Sequence, residues 1–305
     1  MAFPHGAYRP ASSSVTRRPP DNTSSMATLF RWFAVLPLWL LHAGGWLLGW
    51  IVFAASATYR RRFLANSALA GFRFRQVRGA IGAAGKMVAE LPRLWMGAPV
   101  VCEWENDACV DSAYAKGKGV LFLTPHLGCF EVTAQATAAR YVRLYGPLTV
   151  LYRPARQVWL AGFMEAARNR PGLQTAPTSL AGVRQMLRAL RAGLAVGLLP
   201  DQVPPFGMGL WSRFFDREAY TMTLSVRLAQ QSGATVLLAW GERLGRGRGY
   251  CLHFREMSAP LMDGLDGATR QMNAEMEELI RQCPAQYLWG YARYKQPHRE
   301  PVQSP

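Results

Sequence analysis

Short apolar runs alternate with longer amphipathic stretches along the chain beyond residue 118. The runs that predict strands lie at residues 120–123, 148–152, 194–199, 235–240 and 250–254. Stretches with helical periodicity fall between most of them, at about 130–144, 156–170, 179–192, 222–232 and 267–282. This alternation predicts an α/β fold in which a mixed, largely parallel sheet is flanked by helices.

A long apolar segment near the N-terminus is the clearest physical signal in the sequence. Residues 32–59 contain no Asp, Glu, Lys or Arg, a length that suffices for one bilayer crossing or for a helix lying in the membrane interface. Three arginines at 60–62 follow, as in a cytoplasmic stop sequence. We expect a retained N-terminal membrane-anchoring helix rather than a buried core helix. Residues that could bend it into an in-plane or re-entrant shape are Pro37, Gly44, Gly45 and Gly49.

Composition divides the chain into four parts. The first is rich in Pro, Ser, Thr and Arg without apolar periodicity, which is typical of disorder. The native start is either Met1 or Met26. The expected parts are a disordered extension (1–25), the membrane anchor (26–62), a large globular domain (63–298) and a disordered tail (299–305).

The charge balance is strongly basic, with 35 Lys+Arg against 19 Asp+Glu and a formal net charge of +16. Such a surface suits phosphates, anionic membranes or an acidic carrier protein, although arginine-rich composition also follows from GC-rich codons. Nucleic acid is not an expected partner, because no helix-turn-helix, RRM-like or zinc motif is present. Five scattered cysteines predict neither disulfides nor a metal site: Cys102, Cys109, Cys129, Cys251 and Cys283.

The segment TPHLGCFE (124–131) places a histidine and a glutamate five positions apart after the first predicted strand. Inside one helix His126 and Glu131 would point about 140° apart, so they can pair only if the histidine precedes the helix. Pro125 and Gly128 favour such a turn, with the helix beginning near Phe130. A carboxylate on the second ring nitrogen would fix the tautomer that a general base needs. The alternative, which the spacing alone favours, is a loop histidine beside an acid in the first turn of a helix.

Further motifs follow in order: LYRPAR (151–156), ARNRPG (167–172), LRALRAGLAVGLLPDQVPP (187–205), FFDREAYTMTLSVRLAQQSGA (214–234) and PAQYLWGYARYK (284–295). Together with TPHLGCFE they resemble the bacterial lipid A late acyltransferase family, of the lauroyl and myristoyl transferase type. That family is part of the wider lysophospholipid and glycerolipid acyltransferase group. The resemblance runs from about residue 30 to 297. One departure is Asp216, where relatives often have a glycine after the paired phenylalanines.

The resemblance implies transfer of a fatty acyl chain from an acyl carrier protein thioester to a hydroxyl of a lipid A precursor, with no metal or other cofactor. His126 would be the general base, and Glu131 would orient it and balance its charge. Cys129 is expected to face the core rather than to carry the acyl group. With the anchor, the resemblance implies an inner-membrane protein whose acyltransferase domain lies on the cytoplasmic face.

Substrate-binding candidates also come from these motifs. The resemblance points to one arginine of ARNRPG, either Arg168 or Arg170, and to Asp201 and Gln202 of the PDQ segment. Arg153 follows a strand and precedes a proline, and is a further candidate. An arginine suits bidentate phosphate binding, whereas the alternatives are a solvated helix end for the arginines and a turn residue for Asp201.

Some alternatives stay open at this point. The acceptor is a lipid A precursor or another membrane lipid (a glycerophospholipid, a glycolipid or a polyene lipid), and acyl-CoA could replace the carrier protein. A non-enzymatic alternative is a basic, membrane-tethered anion-binding protein. The aromatic segment 204–215 either enters lipid, lines an acyl tunnel or folds onto the core, and the GRGRG stretch at 245–249 predicts a hairpin turn rather than a phosphate loop.

Overall fold

A seven-stranded sheet forms the centre of the protein in a computed structural model that describes residues 22–152 and 170–298. Its strand order is β1-β9-β8-β2-β5-β3-β4, and every neighbouring pair is parallel except β8 with β9. The predicted α/β fold with a mostly parallel sheet is therefore confirmed. The strands are β1 (Cys102–Glu105), β2 (Val120–Leu123), β3 (Leu148–Tyr152), β4 (Leu173–Pro177), β5 (Ala195–Leu198), β8 (Thr235–Arg243) and β9 (Tyr250–Glu256).

Burial explains why the central strands read as continuous apolar runs. All four residues of β2 are buried, because helices cover both faces of the sheet. The described helices of this domain are α7 (Ala108–Ala115), α8 (Phe130–Tyr145), α9 (Leu180–Arg191), α10 (Leu224–Ser232) and α11 (Leu265–Gln282). The predicted helix at 156–170 falls outside the described residues except for its last position.

The N-terminal region contains six helices from residue 22 onward, where the described residues begin. They are α1 (Asn22–Val35), α2 (Leu38–Ala55), α3 (Ala57–Leu69), α4 (Phe74–Val77), α5 (Gly79–Ala89) and α6 (Leu91–Met96). The predicted disordered tail (299–305) and residues 1–21 of the predicted disordered extension lie outside the described residues. Residues 22–25 of that extension belong to α1. The expected boundary at residue 62 falls inside α3.

Helix α2 is the described helix that is long and apolar enough to cross a membrane. Helix α1 ends before Pro37 and α2 begins after it, and α2 continues as one helix through its three glycines, which do not interrupt it. Two of them serve packing instead. A Cβ on Gly49 would lie 2.1 Å from the carbonyl oxygen of Ile81, and one on Gly85 would lie 1.9 Å from that of Gly45. The backbones of α2 and α5 therefore touch directly.

Two hairpins complete the domain. Strands β6 (Gly209–Phe214) and β7 (Arg217–Met222) pair in a separate two-stranded sheet. Their turn places Phe215 and Asp216 at positive φ (47° and 60°), so the aspartate occupies a left-handed position where a glycine would be unstrained. Half of the aromatic segment 204–215 is thus the strand β6. The GRGRG stretch joins antiparallel β8 and β9 through a 3₁₀ turn at Gly245–Gly247, as predicted.

Candidate active site

The candidate site lies where two neighbouring parallel strands end. Strands β2 and β5 pair in register from Val120 with Ala195 to Leu123 with Leu198, and the Thr124 amide still donates to the Leu198 carbonyl at 3.1 Å. Three residues after the last residue of each strand, a polar side chain lies at the same edge of the sheet. These side chains are His126 after β2 and Asp201 after β5. The crevice outside the carboxyl ends of parallel strands is where α/β proteins bind ligands.

His126 and Asp201 meet at this edge through two hydrogen bonds. The ring Nδ1 lies 2.7 Å from Oδ1 of Asp201, and the backbone N–H of His126 donates to Oδ2 at 2.9 Å. An ionised carboxylate only accepts, so Nδ1 carries the hydrogen and Nε2 keeps a lone pair. The amide Nε2 of Gln202 lies 2.9 Å from that second ring nitrogen. The His126 side chain is 15% exposed, and a substrate hydroxyl could therefore reach Nε2 from solvent in place of Gln202.

The carboxylate on His126 is a different one from the carboxylate that the sequence suggested. The carboxylate on the second nitrogen of His126 is that of Asp201, which was expected to bind substrate, and it comes from a strand 75 residues further along the chain. Glu131 lies in the first turn of α8, is buried, and accepts a hydrogen bond from Nε1 of Trp95 at 3.4 Å. The involvement of Glu131 in catalysis stays a prediction.

Burial and charge together define the state of Asp201, which is only 2% exposed. Burial by itself raises the pKa of its carboxyl, but the charge and hydrogen bonds of His126 and the charge of Arg293 lower it below the ordinary value. Asp201 is therefore ionised at neutral pH. Beside it, burial first and the carboxylate second raise the pKa of Tyr287 well above its usual range, so this phenol stays protonated.

Arg293 supplies positive charge beneath the site. It is 2% exposed, and it donates to the Tyr220 carbonyl at 2.8 Å and to the Thr221 hydroxyl at 2.7 Å. Burial lowers the pKa of this guanidinium. Its hydrogen bonds go to neutral oxygens, and the charge of Asp201 offsets part of the cost of burying it. The sequence analysis did not identify Arg293 and Tyr287, which both lie in YLWGYARY, residues 287–294 of the PAQYLWGYARYK motif.

The loop that carries His126 is fixed by backbone contacts on both sides. Gly128 has φ +59°, and a Cβ there would lie 2.0 Å from the Gly241 carbonyl oxygen, so only glycine fits. The Cys129 amide donates to the same carbonyl at 2.7 Å, and the Leu288 amide donates to the His126 carbonyl at 3.1 Å. The loop therefore holds the imidazole in place before any substrate arrives.

A buried ionic cluster lies behind this loop. Arg243 bonds both oxygens of Glu90 through its Nε, at 3.0 and 2.9 Å, and His42 Nε2 and the Tyr250 hydroxyl lie 3.0 and 2.9 Å from Glu90 Oε2. Burial raises the pKa of Glu90, but Arg243 and His42 outweigh it and lower the value to about 2. The cluster ties α2 and α5 to β8 and β9. Burial raises the pKa of the neighbouring Cys129 well above normal, so it is an inert thiol, as expected.

The remaining predicted residues divide into two groups. Arg170 donates to the carbonyls of Leu94 and Trp95, and burial lowers its pKa while Glu131 opposes that effect. Arg170 therefore contacts Trp95, whose indole also donates to Glu131, rather than His126. Arg153 and Arg168 fall outside the described residues, so their predicted substrate contacts stay predictions.

Metal-like spacing occurs elsewhere. Among the described residues, Glu105, Cys251 and His253 are close enough to hold an ion, on β1 and β9. His253 already bridges Glu105 and Glu242, at 2.7 and 3.1 Å, so an ion is not needed to satisfy it.

Comparison with known proteins agrees with the motif series. The model of the bacterial lipid A biosynthesis acyltransferase family matches residues 83–296. The chain is 29% identical over 187 residues to the lipid A biosynthesis lauroyltransferase of Escherichia coli (strain K12), an alignment that covers 59% of this chain and 58% of that relative. It is 27% identical over 188 residues to the lipid A biosynthesis palmitoleoyltransferase of the same organism and to the lipid A biosynthesis acyltransferase of Shigella flexneri.

These alignments cover 60% of this chain and 58% of each of the latter two relatives, so the chain spans less than two thirds of the relatives' length. The family model matches most of the chain, and the matched region includes the His126 loop, Asp201 and the YLWGYARY segment. This protein belongs to the bacterial lipid A biosynthesis acyltransferase family.

Proposed function

We propose that this protein transfers a fatty acyl chain from an acyl carrier protein thioester to a hydroxyl of a lipid A precursor at the cytoplasmic face of the inner membrane. The observation that carries the proposal is the His126 imidazole, a partly exposed ring held at the carboxyl edge of the sheet with Nδ1 on a buried carboxylate and Nε2 next to the Gln202 amide. Family membership supports acyl transfer and the lipid acceptor.

The chemistry needs one base and one fixed tautomer. Nε2 of His126 takes the proton of the acceptor hydroxyl as that oxygen attacks the thioester carbonyl. The imidazolium that forms is stabilised by Asp201, which stays ionised. When the tetrahedral intermediate collapses, the C–S bond breaks and the departing thiolate takes the proton from the imidazolium. An ester and a free carrier thiol result, and no metal takes part.

Gln202 has a definite place in this scheme. Its amide donates to the nitrogen that acts as the base, so it occupies the position of the substrate hydroxyl. Acceptor binding must displace this amide, which can then donate to a substrate oxygen. The earlier assignment of Gln202 to substrate binding is compatible with this position.

The two faces of α2 support the proposed membrane attachment. One face is buried against the domain at Leu41, His42, Gly45 and Gly49. The opposite face exposes large apolar side chains, with Leu47 at 55% and Ile51 at 54% exposure. We infer that this second face lies in lipid and that α2 rests on the domain rather than crossing the bilayer alone. The basic surface favours an anionic bilayer and an acidic carrier protein.

The activity test uses the full chain in detergent micelles, with acyl carrier protein thioester and a lipid A precursor, and follows thiol release and product mass. His126→Ala should lower kcat by at least about 10³-fold, while His298→Ala, at an exposed histidine, should leave it unchanged. Parallel reactions with acyl-CoA and with a glycerophospholipid acceptor identify the donor and the acceptor. Near-normal turnover by His126→Ala would rule out the mechanism.

The attachment test is flotation with anionic vesicles. Leu47→Glu with Ile51→Glu should abolish flotation, because two charges would enter lipid. Leu144→Glu, at a residue 70% exposed on α8, should not change it. Equal flotation of all the variants would contradict the inferred lipid face.

A further inference from the structure

A cavity of about 340 Å³ lies between the first half of α2, Lys86 of α5 and the turn that joins β8 to β9. Its volume is in the range of small-molecule sites. The residues that line it are Trp39, His42, Ala43, Trp46, Lys86, Arg246 and Gly247. Two cationic side chains and two indoles thus converge on one space beside the apolar face of the anchor.

Positive charge is in excess there. Lys86 and Arg246 line the cavity. Burial lowers the pKa of Lys86 most, and the positive charge of the nearby Arg243 lowers it further. Glu90 acts on Lys86 in the opposite direction, but Arg243, Tyr250 and His42 already bond that carboxylate. Neither lining cation forms an ion pair with a carboxylate among the described residues. The cavity therefore offers two cations for which the described part of the chain supplies no carboxylate partner.

The turn supports the same conclusion. Arg246 has φ 60°, a left-handed conformation that L-residues rarely adopt, and it stands between two glycines. A Cβ on Gly247 would lie 2.4 Å from the Trp39 amide nitrogen, so the turn is seated directly on the start of α2. This contact holds Arg246 at the same opening as Lys86, which is 160 residues away in the sequence.

We propose that this cavity binds the phosphodiester headgroup of an anionic glycerophospholipid, such as phosphatidylglycerol, as a site separate from the acyl-transfer crevice. A bilayer lipid fits better than a free phosphate because the opening is continuous with the exposed apolar side chains of α2. Trp39 and Trp46 are 57% and 48% exposed, and tryptophan is enriched at the depth of lipid headgroups. The acyl chains lie along α2 while the phosphate lies between Lys86 and Arg246.

The site also lies at the edge of the sheet that carries His126. Strand β8 is parallel to β2, with Leu238 beside Leu123, and it continues to Arg243 before the turn begins. Both the crevice and the cavity are therefore at the carboxyl ends of these strands. A lipid bound at Lys86 and Arg246 holds this edge against the bilayer, where a lipid acceptor is found.

The test is native mass spectrometry of the full chain released from detergent after incubation with equal amounts of dioleoyl phosphatidylglycerol and dioleoyl phosphatidylcholine. The wild type should retain one phosphatidylglycerol in preference to phosphatidylcholine. Lys86→Gln with Arg246→Gln should weaken retention about tenfold or more, from two lost cation contacts. Arg184→Gln with Arg188→Gln removes two exposed charges from α9 and should leave retention unchanged. Lys86→Arg, which keeps the charge, should retain the lipid.

Other outcomes overturn the proposal. Equal retention of the two lipids means that no site for an anionic headgroup exists. Displacement of the lipid by millimolar inorganic phosphate assigns the cavity to free phosphate rather than to a bilayer lipid. Both wild-type measurements hold even if the double variant fails to fold. Unchanged retention by the double variant with a raised KM for the lipid A precursor assigns the cavity to the acceptor. Lipid retention is read without turnover, so a failure of the proposed acyl transfer would leave it intact.

Discussion

Replacing Asp201 by asparagine should remove the support of His126 while keeping the shape of the side chain. The carboxylate accepts from two donors of one residue, Nδ1–H at 2.7 Å and the backbone N–H at 2.9 Å. An amide offers one acceptor and one donor. If its oxygen stays on the backbone N–H, its NH₂ faces Nδ1, and the ring hydrogen must move to Nε2. His126 is then the wrong tautomer for a general base.

The size of the effect follows from what is lost. A hydrogen bond to a charged group contributes about 1.5–3 kcal/mol, or about 10- to 150-fold in rate if it is made in the transition state. The charge that stabilises the imidazolium disappears as well. We expect kcat to fall by about 10²- to 10⁴-fold, in the range measured for proton-transfer residues.

The assay separates positioning from substrate binding. Initial rates of thiol release, measured over a range of lipid A precursor concentrations, should show a lower kcat and a nearly constant KM for Asp201→Asn. A substrate-binding role for Asp201 predicts instead a raised KM. Glu131→Gln, measured in parallel, shows whether the glutamate contributes to the same step. Circular dichroism checks that the variant is folded. Turnover within about threefold of wild type would refute the assignment of Asp201.

Further outcomes concern stability and reactivity. Arg243→Met leaves Glu90 buried without its main partner and should lower the free energy of unfolding by about 3–5 kcal/mol, measured by denaturant titration. The pKa of Glu90 in the folded protein, about 2, is below its ordinary value of 4.5. Its contribution of about 3 kcal/mol to the free energy of unfolding is therefore complete above pH 4.5 and is lost as the pH falls toward 2. A free energy of unfolding that does not change with pH in this range would contradict the pairing. Gly85→Ala should cost about 1–3 kcal/mol and expose α2 to protease, while Gly44→Ala, with nothing within 4 Å of the new Cβ, is the matched control and should do neither. Cys129→Ala should keep near-normal turnover, and wild-type Cys129 should resist thiol reagents in the folded protein.

How far the sequence predicts the fold depends on burial. Strands β2 and β3 match their predicted limits. In β2 the reason is burial, because a strand covered on both faces has an uninterrupted apolar run. Strand β4 was missed, since LQTAP alternates in burial, contains no apolar run and ends in proline. Strand β1 was missed for a similar reason, because CEWE exposes every second residue at the edge of the sheet.

The site shows a different limit. His126 and Asp201 were each identified near the end of a strand. Their pairing requires that β5 lie beside β2, and local sequence does not determine strand order. Proximity along the chain favoured Glu131, five residues away, over a carboxylate 75 residues away. The two bonds from Asp201 appear only once the sheet is assembled.

The contact of α2 with α5 through Gly45, Gly49 and Gly85 has a consequence for substrate choice. A domain joined to its anchor by a long flexible linker would sample many heights above a bilayer. Here the backbones of α2 and α5 touch directly, so no such linker separates α2 from the domain. If α2 lies in lipid, as proposed, the His126 imidazole is held at a single depth relative to the bilayer. Lipids that carry their hydroxyl at another depth are then excluded by geometry, before any side chain distinguishes their headgroups.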